Sequence, residues 1–505
     1  DTPFRLAVPV FVRRPPLCYD EDKGEGGMKD LLVKDGFAVA EGEEGMLDIL
    51  CSGGKIARMG KGLPVPAGTE VIDAAGKIVI PGGVDVHTHL NLDTGSAVAS
   101  DDFYTGTVAA AFGGTTTIVD HPAFGPAGCP LDHQIKKYHA LAAGRAVIDY
   151  GFHGVIQHVD DEVLAKMADL AKEGISSYKV YLTYAFKIPD EGLYRVLQRA
   201  GELGLLITVH PENDGVVTGL RETFVREGKR SPAFHPLSRP PECEAEAVNR
   251  MILLARMAAD APLYLVHLTC ALGLEFITAA RRRGQRRIFA ETCPQYLFLD
   301  EGLYRLPGIG GLKYLMCPPL RGKEDRESLW RGLAGDIDTV ATDHCPFFFE
   351  TQKILGRDDF TQCPSGAPGI EERIPLMYSE GAAKKRISLR RFVDLCCTNP
   401  AKLFGLYPRK GALREGSDAD IVIIDPELPA VLHNGGPVDL RRGPAASPWM
   451  PGTLHENVDY TAYEGMALSG YPVCTISRGE VLVRDGEFQA APGRGQYIPR
   501  GKPLL

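Results

Sequence analysis

The chain has 505 residues, of which 44% are apolar and 24% charged, with a formal net charge of −9. That length exceeds what one hydrophobic core usually serves, so a large domain and a smaller one are expected. The acidic balance argues against a nucleic-acid or anionic-membrane partner, since both attract a basic surface, and no apolar run approaches the ~20 residues of a membrane helix.

Residues 1–27 place an apolar run, Leu6 to Val12, before Arg13 and Arg14, the reverse of the charge-then-apolar order of a secretory signal. They read as a translated leader or an appended segment, or else as an extension atypical of the family, with the core starting at Met28. From 28 to 79 short alternating segments (Asp48–Cys51, Lys55–Met59, Glu70–Asp73) separated by Gly turns indicate the first part of a β-sandwich. From 80 to 409 β-branched runs alternate with Ala/Leu/Arg/Glu-rich helical stretches. The runs are Ile80–His89, Thr115–Val119, Asp149–Ile156, Ser177–Leu182, Leu206–His210, Leu263–His267, Arg287–Glu291 and Thr339–Asp343. Eight such units fit an α/β fold, a (β/α)₈ TIM barrel, with a doubly wound open sheet as the alternative.

The arginines at 281, 282, 283, 286 and 287 read as a solvated helix end and loop. Between 410 and 487 the β texture returns, with Asp420–Asp425 and Val473–Asp485 as strands. Each β segment is too small to stand alone, so one composite β-sandwich built from both chain ends is expected. Residues 488–505 read as a polar tail able to dock on a neighbouring subunit. The 12 cysteines contain no Cys-x-x-Cys pair and several sit in apolar runs (Cys51, Cys270, Cys396, Cys397). In a chain this long that pattern indicates reduced thiols and a cytoplasmic location.

The chemistry sits at the ends of the runs. Pro81-Gly-Gly-Val-Asp-Val-His87-Thr-His89 ends an apolar strand in His-x-His. Residues two apart on a strand face one side, so both imidazoles point into one space at the strand's C-terminal end, where barrel enzymes keep their sites. A lone histidine at such a place is more often a satisfied core residue. Here His210, His267 and Asp343 also close apolar runs, and that set is hard to reach by chance. Neutral histidines with a carboxylate suit Zn²⁺, Mn²⁺ or Co²⁺ over Ca²⁺ or Mg²⁺. Lys179, inside the fourth run, needs an explanation because a buried unpaired ammonium is costly. Reaction with CO₂ would make it an anionic carbamate able to bridge two cations; an ion pair with Asp or Glu is the plainer alternative.

These residues resemble the dihydropyrimidinase/hydantoinase branch of the cyclic amidohydrolases. The resemblance runs from about Met28 to Arg500. It is carried by residues 81–89, Asp101-Asp-Phe103, Gly113-Gly-Thr-Thr116, Lys179-Val-Tyr-Leu-Thr-Tyr184, Val209-His-Pro-Glu-Asn213, Cys317-Pro-Pro-Leu-Arg321, Thr342-Asp-His-Cys-Pro-Phe347 and Gly369-Ile-Glu-Glu-Arg373. It implies two divalent cations, zinc with Mn²⁺ or Co²⁺ as alternatives. His87, His89, Lys179 and Asp343 would hold one; His210, His267 and the N6-carboxylated Lys179 the other. Tyr184 would hydrogen-bond the substrate carbonyl, and backbone groups near Cys317 and Ser365 would hold the ureide face. The family usually has Ser where Cys317 stands, Asn where Ser365 stands and Ala where Pro211 stands.

The implied reaction is opening of a cyclic amide in 5,6-dihydropyrimidines or 5-substituted hydantoins, giving N-carbamoyl amino acids. A hydroxide bridging the cations attacks, and Asp343 shuttles the proton. Dihydroorotases, which resemble this chain closely, usually carry an Arg after His-x-His. Here Leu90-Asn91-Leu92 follows, suiting a ring without a carboxylate, with Leu92, Phe124 and Phe186 as candidate walls for an exocyclic substituent. Allantoinase is the alternative enzyme. A non-enzymatic dihydropyrimidinase-like scaffold is the alternative class, disfavoured because all six ligand positions are kept. A homotetramer is expected from the resemblance alone.

Overall fold

A computed structural model describes residues 29–436 and 450–504; the expectations for residues 1–27 and for Met28 lie outside the described residues. The two chain ends meet in one nine-stranded sheet. Its order runs Glu487–Phe488, Glu480–Arg484, Ala467–Ser477, Ile421–Val431, Ile78–Pro81, Leu31–Ala40, Glu43–Ser52, Lys55–Gly60, with Glu70–Asp73 parallel to Leu31–Ala40. Leu31, Val33, Ile49, Ile72, Ile421, Ile423 and Ile476 are buried together, so neither end could form this core alone.

Between Ile78–Pro81 and Ile421–Val431 lies the barrel. Its parallel strands begin with Gly83–Thr88, Thr115–Asp120 and Asp149–Phe152. The other strands are Gly154–Val155, Ser177–Tyr181, Leu206–His210, Leu263–Leu265, Ile288–Thr292 and Thr339–Val340. A parallel bridge between Thr88 and His344 joins the last strand to the first. Asp149–Phe152 and Gly154–Val155 are one strand of the barrel interrupted at His153. This is the (β/α)₈ arrangement the alternating texture predicts.

Two runs differ from expectation. The run over 80–89 is two strands, because Ile80 and Pro81 pair with Val422 and Ile421 in the sheet before the chain pivots at Gly82. Only glycine fits there, since an added Cβ would collide with the Thr116 side chain. The run over 473–485 is a hairpin, turned by Arg478 and Gly479 at φ 47° and 73°. The tail packs on its own barrel. Tyr497 bridges Tyr150, Ile498 N–H donates to Tyr150 O at 2.8 Å, and the buried Arg500 donates to Ser177 Oγ at 2.9 Å.

A charge cluster ties the barrel to the sheet. Lys410 is fully enclosed, with Nζ 2.6 Å from Asp149, 3.0 Å from Asp418 and 2.8 Å from Asp420. Burial pushes the Asp418 carboxyl up, but Lys410, Lys55 and Arg409 outweigh it and bring it down to about 2 from 3.8. A carboxyl depressed on folding stabilises the protein above its unfolded pKa, and that stability is lost as pH falls through the folded value. Asp418 therefore contributes about 2 kcal/mol at neutral pH, lost between about pH 4 and pH 2. Removing the cation leaves three buried carboxylates facing one another. Lys410→Met is expected to lose about 3–5 kcal/mol, measured as a fall in Tm and in the denaturant midpoint; a Tm unchanged at pH 7 would show the cluster to be dispensable.

Candidate active site

All six metal-competent residues predicted from sequence line one cavity of about 610 Å³; five lie at or just past the C-terminal ends of barrel strands, and Lys179 lies mid-strand in Ser177–Tyr181. His87 is on strand Gly83–Thr88 and His89 just beyond it; alternation puts the two rings 5.2 Å apart. His210 ends its strand. His267 and Asp343 lie beyond theirs, where the chain turns off the barrel with φ of 40° and 54°. Tyr184 has φ 72°. Non-glycine residues rarely adopt this left-handed conformation, and they do so where surrounding structure over-determines them. For Asp343 the cause is visible: its N–H donates to His87 O at 2.8 Å, and His89 N–H donates to His344 O at 2.9 Å, so first and last strands fix each other.

Two buried acids that sequence reading gave no role set the histidine tautomers. His87 Nδ1 donates to Glu291 Oε1 at 2.6 Å, and His210 Nε2 donates to Glu212 Oε2 at 2.7 Å. Glu291 also accepts from the Tyr264 hydroxyl and the His267 N–H, and Glu212 pairs with the buried Arg239. Carboxylates behind the imidazoles turn the other ring nitrogen toward the centre and raise its basicity, as behind metal-bound histidines. The available signal was positional: Glu291 ends the seventh run as the histidines end theirs, and Glu212 stands two residues after His210.

On the centre side, His87 Nε2 and His89 Nε2 each lie 3.1 Å from Asp343 Oδ1, and His267 Nε2 lies 2.9 Å from His210 Nδ1. Burial raises the Asp343 carboxyl, but the imidazoles outweigh it and hold it well below the usual range. Burial and Lys179 lower His87, while Glu291 and Asp343 lift it to about 9. Lys179 Nζ sits 3.4 Å from His87 Nε2, and no carboxylate among the described residues pairs with it. Burial brings its ammonium down to about 8, with Asp343 and Glu291 only partly opposing. The donor set fits divalent cations. Four imidazoles, a carboxylate and an amine converge, and the buried Nδ1 atoms of His89 and His267 have no hydrogen-bond partner.

Tyr184, Cys317 and Ser365 line the same cavity, with Cys317 Sγ donating to Ser365 Oγ at 3.4 Å. Burial, with Cys317 next, holds the Tyr184 phenol well above its usual pKa, so it is a neutral donor. Leu92, Phe124 and Phe186 also line it, the two phenylalanine rings 4.9 Å apart. Other quoted motifs are scaffolding. Asp101 accepts from His344 Nε2 at 3.1 Å, and fully buried Arg373 donates to Thr115, Val340 and Cys396.

The amidohydrolase family profile matches residues 78–482. This chain belongs to the amidohydrolase family. The amidohydrolase is 46% identical to a D-phenylhydantoinase of Escherichia coli O1:K1, over 94% of this chain and 99% of that one. Among solved structures it resembles a D-hydantoinase (44% identity, TM-score 0.88, 94% and 99% of the chains). It also resembles the dihydropyrimidinase of Brevibacillus agri NCHU1002 (41%, 0.88, 94% and 100%). At greater distance lies an L-hydantoinase (dihydropyrimidinase) of Arthrobacter aurescens (31%, 0.81, 94% and 100%). Among the described residues of this amidohydrolase no helix is long and apolar enough to cross a membrane.

Proposed function

We propose that this amidohydrolase opens the cyclic amide of hydantoins and dihydropyrimidines to give N-carbamoyl amino acids. The observation that carries the reading is one cavity with six metal-competent groups at its floor and Leu92, Phe124 and Phe186 in its walls. It stands in a chain 46% identical to a D-phenylhydantoinase. His87, His89, Lys179 and Asp343 would hold one divalent cation, and His210, His267 and Lys179 a second, with zinc as the metal. For Lys179 to serve both, its neutral amine adds to the carbon of CO₂ and releases one proton, giving an anionic carbamate with two oxygen donors. The absent carboxylate partner and the lowered pKa of Lys179 support that modification. Bound there, the cations polarise the carbonyl and lower the pKa of water from about 15.7 toward about 7.

The rest is done by side chains. The substrate ring lies over the histidine floor with its ureide edge toward the main chain at Cys317 and Ser365. The neutral Tyr184 hydroxyl donates to the carbonyl oxygen as negative charge develops there. Asp343, ionised and wedged between His87 and His89, takes the proton of the attacking water and delivers it to the ring nitrogen as the C–N bond breaks, base first and acid second. The apolar start of the loop after His89, Leu90-Asn91-Leu92, leaves no cation there for a ring carboxylate. The assembly we propose is the homotetramer common among chains this one resembles.

A substrate panel tests the reading. The metal-loaded protein is expected to turn over 5-phenylhydantoin and dihydrouracil with kcat/KM at least roughly tenfold above allantoin and dihydroorotate. Preference for allantoin would make it an allantoinase. No turnover of any of the four, with cations bound, would overturn the assignment.

A further inference from the structure

His121 follows strand Thr115–Asp120 and is completely enclosed, yet neither ring nitrogen has a hydrogen-bond partner. Buried polar groups are nearly always satisfied, and one that is not calls for an ion, a water or a catalytic explanation. Its surroundings narrow the choice. Its ring centroid lies 4.4 Å from that of His87 and 5.3 Å from that of His89. One donor nitrogen from each of the three rings can be chosen so that all lie within 4.8 Å of one another. His121 does not border the substrate cavity, although the next two residues, Pro122 and Ala123, do, so the substrate itself is not its partner.

The other face of the ring is occupied by a support. His153 stacks on His121 with centroids 3.8 Å apart and planes 10° from parallel. His153 has its own bonds: Nε2 donates to Val86 O at 2.9 Å, and Nδ1 accepts from Ser177 Oγ at 2.7 Å. Ser177 Oγ in turn accepts from Arg500 at 2.9 Å. The donor of Arg500 thus fixes the direction of the chain and the tautomer of His153. His153 has no nitrogen left to offer, and it holds the plane of His121 facing the pair of ligands.

We infer that His121 is a further metal ligand, a third imidazole for the cation held by His87 and His89. This rests on the metal reading of the site and adds to it a neutral nitrogen donor supplied by the second barrel strand. The added donor raises the coordination number of that cation and slows its release. It also distinguishes the two cation positions, since among the described residues no second cluster of this kind stands beside His210 and His267.

The test uses full-length protein stripped by chelation and reloaded with Co²⁺, for wild type and His121→Phe. Phenylalanine keeps the ring volume and the stack on His153 but lacks a donor. Wild type is expected to take up about two ions per chain. In His121→Phe one of the two is expected to leave to a competing chelator about 10–100-fold faster, the other at the wild-type rate. The visible Co²⁺ bands should intensify as coordination number falls. Far-UV dichroism checks the fold; if His121→Phe does not fold, His121→Leu is read in the same way. Wild-type release rates and bands in the folded variant would overturn the inference and leave His121 bonded to a buried water. Wild type that takes up no Co²⁺ would overturn the metal reading beneath it.

Discussion

Asp343→Asn is expected to lower kcat by at least about 10³-fold, within the range for loss of a general acid–base group, with far-UV dichroism and Tm close to wild type. The side chain is isosteric, and the bond that sets its position is made by the main chain, Asp343 N–H to His87 O. The fold therefore has little reason to respond. What changes is at Oδ1, which lies 3.1 Å from both His87 Nε2 and His89 Nε2. A carboxylate there can accept a proton and release it; an amide can do neither at any working pH. Steady-state kinetics on 5-phenylhydantoin provide the check. A kcat within tenfold of wild type would remove Asp343 from the proton pathway.

Lys179→Ala is expected to leave a folded protein that keeps under half of its metal and turns over substrate at least about 10³-fold more slowly, since under the proposed reading it removes a donor shared by both cation positions. Among the described residues the buried amine has no carboxylate partner, so its removal strands no opposite charge there, and thermal stability is expected to change less than activity. Short carboxylic acids such as propionate should restore part of both metal content and rate by supplying the missing anion. Metal analysis by mass spectrometry with and without propionate reads the result. Full metal occupancy in the variant would count decisively against a bridging role for Lys179.

Much of this site could be read from the chain because barrel geometry turns a one-dimensional signal into a three-dimensional one. A polar residue closing an apolar run must emerge at one rim, so His87, His210, His267 and Asp343 announce their meeting place without any knowledge of contacts. Residues that act sideways carry no such mark. Glu291 stands at the end of a run, yet only the fold shows that it reaches past the intervening last strand to His87. His121 carries no such mark because Asp120 separates it from the apolar run Thr115–Val119, so it does not close that run. Strand limits were blurred for a related reason. Ile80 and Pro81 are as apolar as Val84 and Val86, and composition does not reveal that Gly82 lets one run serve two sheets. The destination of the tail was hidden too, since Tyr497 and Arg500 look solvent-facing until Tyr150 and Ser177 are seen beneath them.

The pairing of Ile78–Pro81 with Ile421–Ile424 has a consequence for biosynthesis. As the chain leaves the ribosome, the early strands emerge long before the partner that completes their sheet. Until then Ile78–Pro81 offers an open hydrophobic edge, the kind of surface that recruits other chains. The intervening barrel, with its nearest-neighbour parallel strands, can close first and bring the two ends side by side, so the last-made strands act as a seal on a half-built layer. Nascent chains stalled before Ile421 are the species most in need of a chaperone.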